Sequence, residues 1–224
     1  MRSRTADEQE ITTFRESLYR FFSECLLRPP GGAVAAAWQD PEWRASLARL
    51  LDLPLSILPR NGELGDDMEL ATDFARLFVV PATMTCPFES YHRISRPVPE
   101  DGAYGPLLAC TTQRVHEAYR SWRVRPEAET EEVSDHAATE LRFMAILVAL
   151  EHQSRASGDD GQLADVLRAQ ADFLDQHILA WFPAWIGAVQ ARARLPFYRS
   201  LVKILGRFLE VDRNTVELTL ADHR

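Results

Sequence analysis

The chain has 224 residues, of which 46% are hydrophobic and 26% are charged, and its formal net charge is -8 at pH 7. These proportions are typical of a soluble globular protein, and the length is sufficient for a sizeable core. The negative charge excludes a general nucleic-acid binder, which needs a basic surface to meet phosphates, and it disfavours an anionic membrane surface as the partner.

The cysteines and the distribution of apolar residues indicate the compartment. Cys25, Cys86 and Cys110 are widely spaced and form no Cys-x-x-Cys pair, which is typical of a reducing compartment and gives no metal or disulfide framework. Residues 1–10 lead into no apolar core of a signal peptide. The longest apolar run, residues 143–150, is far shorter than the roughly 20 residues that cross a bilayer. We therefore expect a cytoplasmic protein with no stable membrane association.

Helical spacing of apolar residues dominates the first third of the chain. Apolar side chains recur at three- and four-residue steps over residues 11–25, and a pair of prolines ends that segment. Asp40 followed by Pro41 is typical of an N-cap and a first helical turn, and predicts a second helix. A third helix is predicted over residues 66–79. Its apolar face is formed by Leu70, Phe74, Leu77 and Phe78.

A long irregular stretch, residues 81–102, follows the third helix, and loops of that length are often functional. Apolar spacing then predicts helices over residues 104–122, 135–154 and 162–181. The residues between the first two of these helices, 127–135, carry several acids and no base. We interpret them as a solvated connector.

The last part of the chain is also helical in pattern. Pro183 and Pro196 stand where new helices can start, and no segment shows the alternation of a strand. The fold class predicted is an all-α, single-domain helical bundle of about eight to ten helices. We expect the domain to span residues 1–211, and residues 212–224 to form a loosely ordered C-terminal tail.

Motifs for covalent chemistry are not found in the sequence, which has no GxSxG, HExxH, GxGxxG or phosphate-binding glycine loop. His136 and Glu140 are four residues apart, so on a helix they share one face and could supply two metal ligands. A local pair on the helix surface explains the same spacing. We therefore predict no enzymatic activity, no cofactor and no metal, with a metal-dependent helical enzyme built on His136 and Glu140 as an alternative.

Four short segments stand in order along this helical pattern. The first is Phe-Ala-Arg-Leu-Phe at residues 74–78, and the second is Pro-Phe-Glu-Ser-Tyr at residues 87–91. The third is Asp-His at residues 135–136, which continues into Glu-Leu-Arg-Phe-Met at residues 140–144. The fourth begins with Phe-Leu at residues 173–174. Together these segments resemble the redox-enzyme maturation chaperones of the TorD/DmsD/NarJ type.

The resemblance implies a TorD-like helical fold and a function without covalent chemistry. Such a chaperone binds the twin-arginine leader of a molybdenum-containing oxidoreductase, holds this client until its cofactor is inserted, and then releases it for export. The expected partner is the catalytic subunit of the client, bound through its leader peptide, and the chaperone is a monomer or homodimer. The alternative is a helical adaptor or oligomerisation protein with another protein partner.

A twin-arginine leader combines guanidinium groups with an apolar stretch, so its receptor needs an apolar groove flanked by carboxylates. We expect this groove between the third helix, the loop that follows it and the start of the Asp-His helix. The predicted peptide-binding residues are Phe74, Leu77, Phe78, Pro87, Phe88, Glu89, Ser90, Tyr91, Asp135, His136 and Glu140. For the three residues of the third helix the alternative is a place in the core, for Glu89 a solvated loop charge, and for Asp135 an N-cap.

Overall fold

The computed structural model describes residues 4–58, 64–93, 104–124 and 134–222. Within these ranges the chain forms helices and no β-strand, which confirms the all-α prediction. The helices are α1 (Arg4–Leu27), α2 (Gly32–Gln39), α3 (Pro41–Leu51), α4 (Asp67–Phe74), α5 (Glu89–His92), α6 (Tyr104–Ser121), α7 (Ala137–Ser157), α8 (Asp160–Phe173), α9 (Leu179–Arg192) and α10 (Pro196–Asp222).

Side-chain caps explain where two of the predicted helices begin. The Asp40 carboxylate accepts hydrogen bonds from the backbone N–H groups of Glu42 and Trp43 at 2.8 and 3.2 Å, at the start of α3. At the start of α4, the Asp66 carboxylate accepts from the N–H of Glu69 at 2.8 Å, and the Glu69 carboxylate accepts from the N–H of Asp66 at 3.0 Å. Caps of this kind contribute about 1 kcal/mol each, because they satisfy backbone donors that the helix cannot.

Two helical runs contain a turn of π-helix. Ala75–Val79 follows α4, and Leu174–Ile178 joins α8 to α9. The second run is continuous, so Pro183 lies inside α9, and the prediction that it starts a new helix is wrong. A proline inside a helix removes one backbone hydrogen bond and costs about 3 kcal/mol. The neighbouring rings of Phe182 and Trp185 are fully buried, and their burial offsets that cost.

The chain divides into two compact units, and each unit is assembled from separate stretches of sequence. Unit 1 contains residues 1–23, 88–181 and 212–224, and unit 2 contains residues 24–87 and 182–211. Most of the second, third and fourth segments of the resemblance belong to unit 1, whereas the first segment belongs to unit 2.

The end of α10 is part of the core of unit 1. Val216 lies with Leu163 and Leu167 in one buried cluster, and Asp212 is also buried. The helix continues to residue 222. The prediction of a loosely ordered tail from residue 212 is therefore wrong, because apolar burial and a buried carboxylate hold this segment in place.

Aromatic rings fill the core of unit 2. The ring of Phe78 lies with its centroid 5.3 Å from Phe74, 6.0 Å from Trp185 and 5.9 Å from Tyr198. The hydroxyl of Tyr198 donates a hydrogen bond to the carbonyl of Leu70 at 2.9 Å. These contacts fix α4 and its π-helical turn against α9 and α10 within this unit.

The structure describes only part of the segments that were predicted to be irregular. Residues 81–93 include the short helix α5, and residues 94–102 lie outside the described residues. Of the acidic connector, only residues 134 and 135 are described. Among the helices that the structure describes, none is long and apolar enough to cross a membrane.

Candidate functional site

Backbone pairing in unit 1 joins the second and third segments of the predicted site. Phe88 and His136 form an isolated antiparallel bridge, and their rings lie edge to face with centroids 5.1 Å apart. The N–H of Glu89 donates to the carbonyl of Asp135 at 2.9 Å. The N–H of Ser90 donates to Oδ2 of Asp135, also at 2.9 Å. Two segments more than 40 residues apart in sequence are thus held together at the start of α7.

His136 caps α7 with its own side chain. Its Nδ1 accepts a hydrogen bond from the N–H of Ala138 at 3.1 Å. Burial lowers the pKa of His136 to about 4, although the carboxylate of Asp135 opposes this shift. The ring is therefore neutral near pH 7, with its proton on Nε2. The capping role considered for Asp135 belongs to His136, because the hydrogen bond shown for the Asp135 carboxylate comes from Ser90.

Glu89 is a buried carboxylate held by two donors. Its Oε1 accepts from Nε of Arg93 at 2.8 Å, and its Oε2 lies 2.9 Å from Nδ1 of His177. Burial by itself raises the pKa of Glu89, but the hydrogen bonds from His177 and Arg93 outweigh burial and lower it. The side chain is only 1% exposed. Glu89 is thus an ionised anchor inside unit 1, and the alternative of a solvated loop charge is wrong.

Glu140 lies close to Glu89 and is fully buried. Its Oε2 accepts a hydrogen bond from Nε1 of Trp181 at 3.1 Å. Among the residues that the structure describes, its Oε1 and the Oδ1 of Asp135 have no hydrogen-bond partner. Burial, and then the charge of Glu89, raise the pKa of Glu140 well above its ordinary value. Both causes favour the neutral form of Glu140, whose hydroxyl can donate to the ionised Glu89.

The pair His136 and Glu140 does not have the form of a metal site. Nδ1 of His136 accepts the capping hydrogen bond, and Oε2 of Glu140 accepts one from Trp181, so both side chains already serve contacts within the protein. No group of three or more His, Cys, Asp or Glu side chains that could hold a metal ion lies within the described ranges. The geometry therefore gives no support to the alternative of a metal-dependent enzyme.

A cavity of about 690 Å³ opens beside Glu89 in unit 1. Side chains from three elements surround it: the α5 segment, α6, and the π-helical turn between α8 and α9. Charged and polar groups dominate its walls, and the charged and titratable ones are Glu89, Arg93, Arg114, Glu117, Asp175 and His177. Ser90 also contributes to the wall. The cavity can therefore receive a charged group from a ligand.

A smaller recess of about 240 Å³ adjoins this cavity. Its apolar walls come from Trp122, Phe143 and Phe173. Gln176 and His177 line both spaces, so the recess and the cavity share a wall. Asp172 and Ser121 also line the recess. Together the two spaces form a groove in unit 1 that has aromatic side chains at one end and most of its charged groups at the other.

The structure separates the predicted site residues into three sets. Phe74, Leu77 and Phe78 are buried in unit 2, so the structure agrees with the alternative that these three residues belong to the core. Pro87, Asp135 and Glu140 are buried as well. The residues that present side-chain surface or line the cavity are Phe88, Glu89, Ser90, Tyr91 and His136.

Other side chains of the site were not identified from the sequence. Arg93 stands four residues after Glu89, and that spacing on a helix is a signal that could have identified it. Phe143 and Phe173 stand in the third and fourth segments but were not predicted to line the site. Trp122, Phe143 and Phe173 follow the same apolar spacing as core residues, and that spacing does not distinguish a recess wall from a core.

Comparison with known proteins identifies the family. The family model described as "Nitrate reductase delta subunit" matches residues 38–187. The chaperone protein TorD of Salmonella bongori is 27% identical over 227 aligned positions, which cover 95% of each chain. TorD of a Psychrobacter species is 25% identical and covers 93% of this chain and 94% of its own. The perchlorate reductase assembly chaperone protein of Dechloromonas aromatica is 26% identical and covers 63% of this chain and 68% of its own. These matches confirm the resemblance described above, and the chain belongs to the nitrate reductase delta subunit family, a family of chaperones and not of enzymes.

Proposed function

We propose that this chain is a cytoplasmic assembly chaperone for a molybdenum-containing oxidoreductase. It binds the amino-terminal twin-arginine leader of the catalytic subunit and holds this client until the cofactor has been inserted. The observation that carries the proposal is the family match, because relatives aligned over nearly the whole chain are named as chaperones and another is named for the assembly of a reductase.

Side chains next to the bridge between Phe88 and His136 support binding of a peptide. Tyr91 is 59% exposed, and Phe88 and His136 are half-buried, so three rings close to one another in sequence or space present surface to solvent. Glu89 and Ser90 line the adjoining cavity. An extended patch of exposed rings beside a charged cavity fits a ligand that carries both apolar and cationic side chains.

Energetics indicate which contacts set the affinity. Burial of one apolar side chain stabilises a complex by roughly 1.5–3 kcal/mol, whereas an exposed ion pair contributes about 0–1 kcal/mol. We therefore expect the apolar stretch of the leader to provide most of the binding free energy. The carboxylates set the orientation of the peptide, its association rate and the choice of partner.

Titration calorimetry with leader peptides tests the proposal. The peptides are the leaders of the molybdoenzymes made by the same cell, measured at several temperatures. We expect binding with a negative heat-capacity change, because apolar surface leaves water. Tyr91→Ala should weaken binding about tenfold, since the exposed ring loses its contact with the peptide.

Leu218→Ala is the matched control, because Leu218 is also a large, exposed apolar residue of unit 1 and lies near the end of α10. This variant should bind the leader as the wild type does. Absence of measurable binding for every authentic leader would contradict the proposed function.

A further inference from the structure

The charged end of the groove already holds a guanidinium group, which belongs to the protein itself. Arg93 donates from Nε to Oε1 of Glu89 at 2.8 Å, and its Nη2 donates to the carbonyl of Gln176. The two partners differ in burial, since the side chain of Glu89 is 1% exposed and that of Arg93 is 38% exposed. The acceptor is therefore fixed in the interior, whereas the donor reaches it from the solvent side.

Glu89 is held in place by contacts that do not depend on Arg93. Its backbone N–H donates to the carbonyl of Asp135, and Oε2 is bound to His177. If Arg93 moved away, Oε1 would lose its charged partner in a buried position. A buried carboxylate without its partner is costly, so the site would take up another cation in preference to remaining unpaired.

Charge and shape together indicate which cation fits. The cavity of about 690 Å³ adds the carboxylate of Glu117 to that of Glu89, and Arg114 also lines it. The carboxylate of Asp175 lies in the same wall but is already bound by Arg213, at 2.6 and 2.7 Å. The carbonyl of Gln176 supplies a second acceptor beside Glu89, and a planar fork of N–H donors matches two neighbouring oxygen acceptors. The adjoining recess offers Trp122 and Phe173 to apolar groups.

We propose that this cavity is a guanidinium-binding site that Arg93 fills in the free protein, and that an arginine of a client peptide replaces Arg93 while apolar side chains of the same peptide enter the recess. This inference rests on the proposed function and names the residues that recognise the leader. It assigns to Arg93 the role of an internal competitor and to Glu89 the role of the arginine receptor.

Because Arg93 occupies the site in the free protein, it affects which peptides can bind there. Arg93 is tethered four residues from Glu89, so its effective concentration at the site is high, in the millimolar range for short tethers. A peptide that brings only an arginine competes poorly against it. A peptide that joins arginine to an apolar stretch gains the additional burial in the recess, and so displaces Arg93. The site thus selects for both features in one segment.

A pair of synthetic peptides tests the inference on the wild-type protein. The first carries two consecutive arginines followed by an apolar stretch of leucine and alanine, and the second has citrulline, the neutral isostere, in place of each arginine. Titration calorimetry should show binding about tenfold weaker for the citrulline peptide, because a charge-assisted hydrogen bond to Glu89 is lost.

A variant without the guanidinium of Arg93 provides a second test. Arg93→Gln should tighten binding of the arginine peptide about three- to tenfold, because no internal guanidinium then competes, and should leave the citrulline peptide unchanged. Arg120→Gln is the control for net charge, since Arg120 is exposed in the last turn of α6, and it should change neither affinity. Circular dichroism establishes that both variants are folded.

Two results would overturn the inference, and they are distinguishable. If both peptides bind the wild type equally and Arg93→Gln alters neither affinity, Glu89 does not recognise an arginine of the peptide. The proposed function is retained in that case. If neither peptide nor any authentic leader binds, the proposed function fails and this inference fails with it.

Discussion

Unit 1 buries two clusters of charged side chains, and they differ in how their charges are matched. In the first cluster, the guanidinium of Arg15 donates to Asp212, to Glu151 at 2.7 Å and to Gln170 at 2.6 Å. The hydroxyl of Tyr19 also donates to Asp212, at 2.6 Å. Burial lowers the pKa of Arg15, but Asp212 and Glu151 raise it by more. None of the polar side-chain atoms in this cluster is without a partner within the described residues.

The second cluster leaves acceptor atoms unmatched. Arg93 and His177 contact Glu89. One oxygen each of Asp135 and Glu140 has no hydrogen-bond partner among the described residues. This cluster also borders a cavity, and the first cluster does not belong to it. A fully matched buried network fixes a structure, whereas one with unmatched acceptors beside a cavity can respond to a ligand. The two clusters therefore separate stability from binding.

The largest expected effect follows from Arg15→Met. This change leaves the buried carboxylate of Asp212 without its guanidinium and leaves Glu151 with Arg155 as its charged partner. We expect it to lower the free energy of unfolding by about 3–5 kcal/mol. Urea denaturation followed by circular dichroism measures it. Arg20→Met on the same helix is the control, because Arg20 is exposed and pairs with Glu16 at the surface, and it should cost less than about 1 kcal/mol. If Arg15→Met and Arg20→Met lowered the free energy of unfolding equally, the first cluster would not be a special source of stability.

A smaller, pH-dependent effect is expected for His136→Asn. The pKa of His136 is about 4 in the folded protein, below the unfolded value of about 6.5. The unfolded state therefore takes up the proton first as the pH falls. The stability that depends on the neutral ring is complete above about pH 6.5 and is lost towards pH 4, by about 3 kcal/mol.

Asparagine keeps a capping acceptor at the start of α7 but does not titrate. Relative to the wild type, we expect the free energy of unfolding of His136→Asn to rise as the pH is lowered from 6.5 to 4. Denaturant titrations at several pH values measure the difference. A difference that stays constant over this range would show that the ring does not couple folding to protonation.

The smallest effect is expected for Glu140→Gln at low pH. Below about pH 4.5 the carboxyl of Glu140 is protonated in both the folded and the unfolded protein, so the neutral isostere should change the free energy of unfolding there by less than about 1 kcal/mol. Because the pKa of Glu140 is raised on folding, its contribution is complete below about pH 4.5, the unfolded value, and is lost as the pH rises through the folded value. The free energy of unfolding of the variant should therefore increase, relative to that of the wild type, as the pH is raised from 5 to 9. A difference between the variant and the wild type that does not change with pH would show that folding does not raise the pKa of Glu140.

Local signals made much of the fold predictable. The cap at Asp40, the capping box that starts at Asp66 and the proline that opens α10 are all encoded within a few residues. The π-helical turns and the course of the chain through Pro183 are not, because they depend on burial of Phe182 and Trp185 against residues distant in sequence. Local propensity favoured a break there, and packing prevailed.

The candidate site was predictable in part. The order of the second and third segments indicated that they act together, and the bridge between Phe88 and His136 joins them. The contact between Glu89 and His177 spans 88 positions, and no spacing rule relates residues so far apart. The protonation of Glu140 depends on its burial beside Glu89, which only the folded structure shows.

The pairing of Arg15 with Asp212 also determines when unit 1 can be completed during synthesis. The two residues are separated by 197 positions, so the ribosome must translate almost the whole sequence before the arginine of α1 meets its carboxylate. Unit 2 is likewise interrupted, since its stretches are residues 24–87 and 182–211. The nascent polypeptide therefore cannot finish either unit early, and both cores close only after late residues have left the exit tunnel.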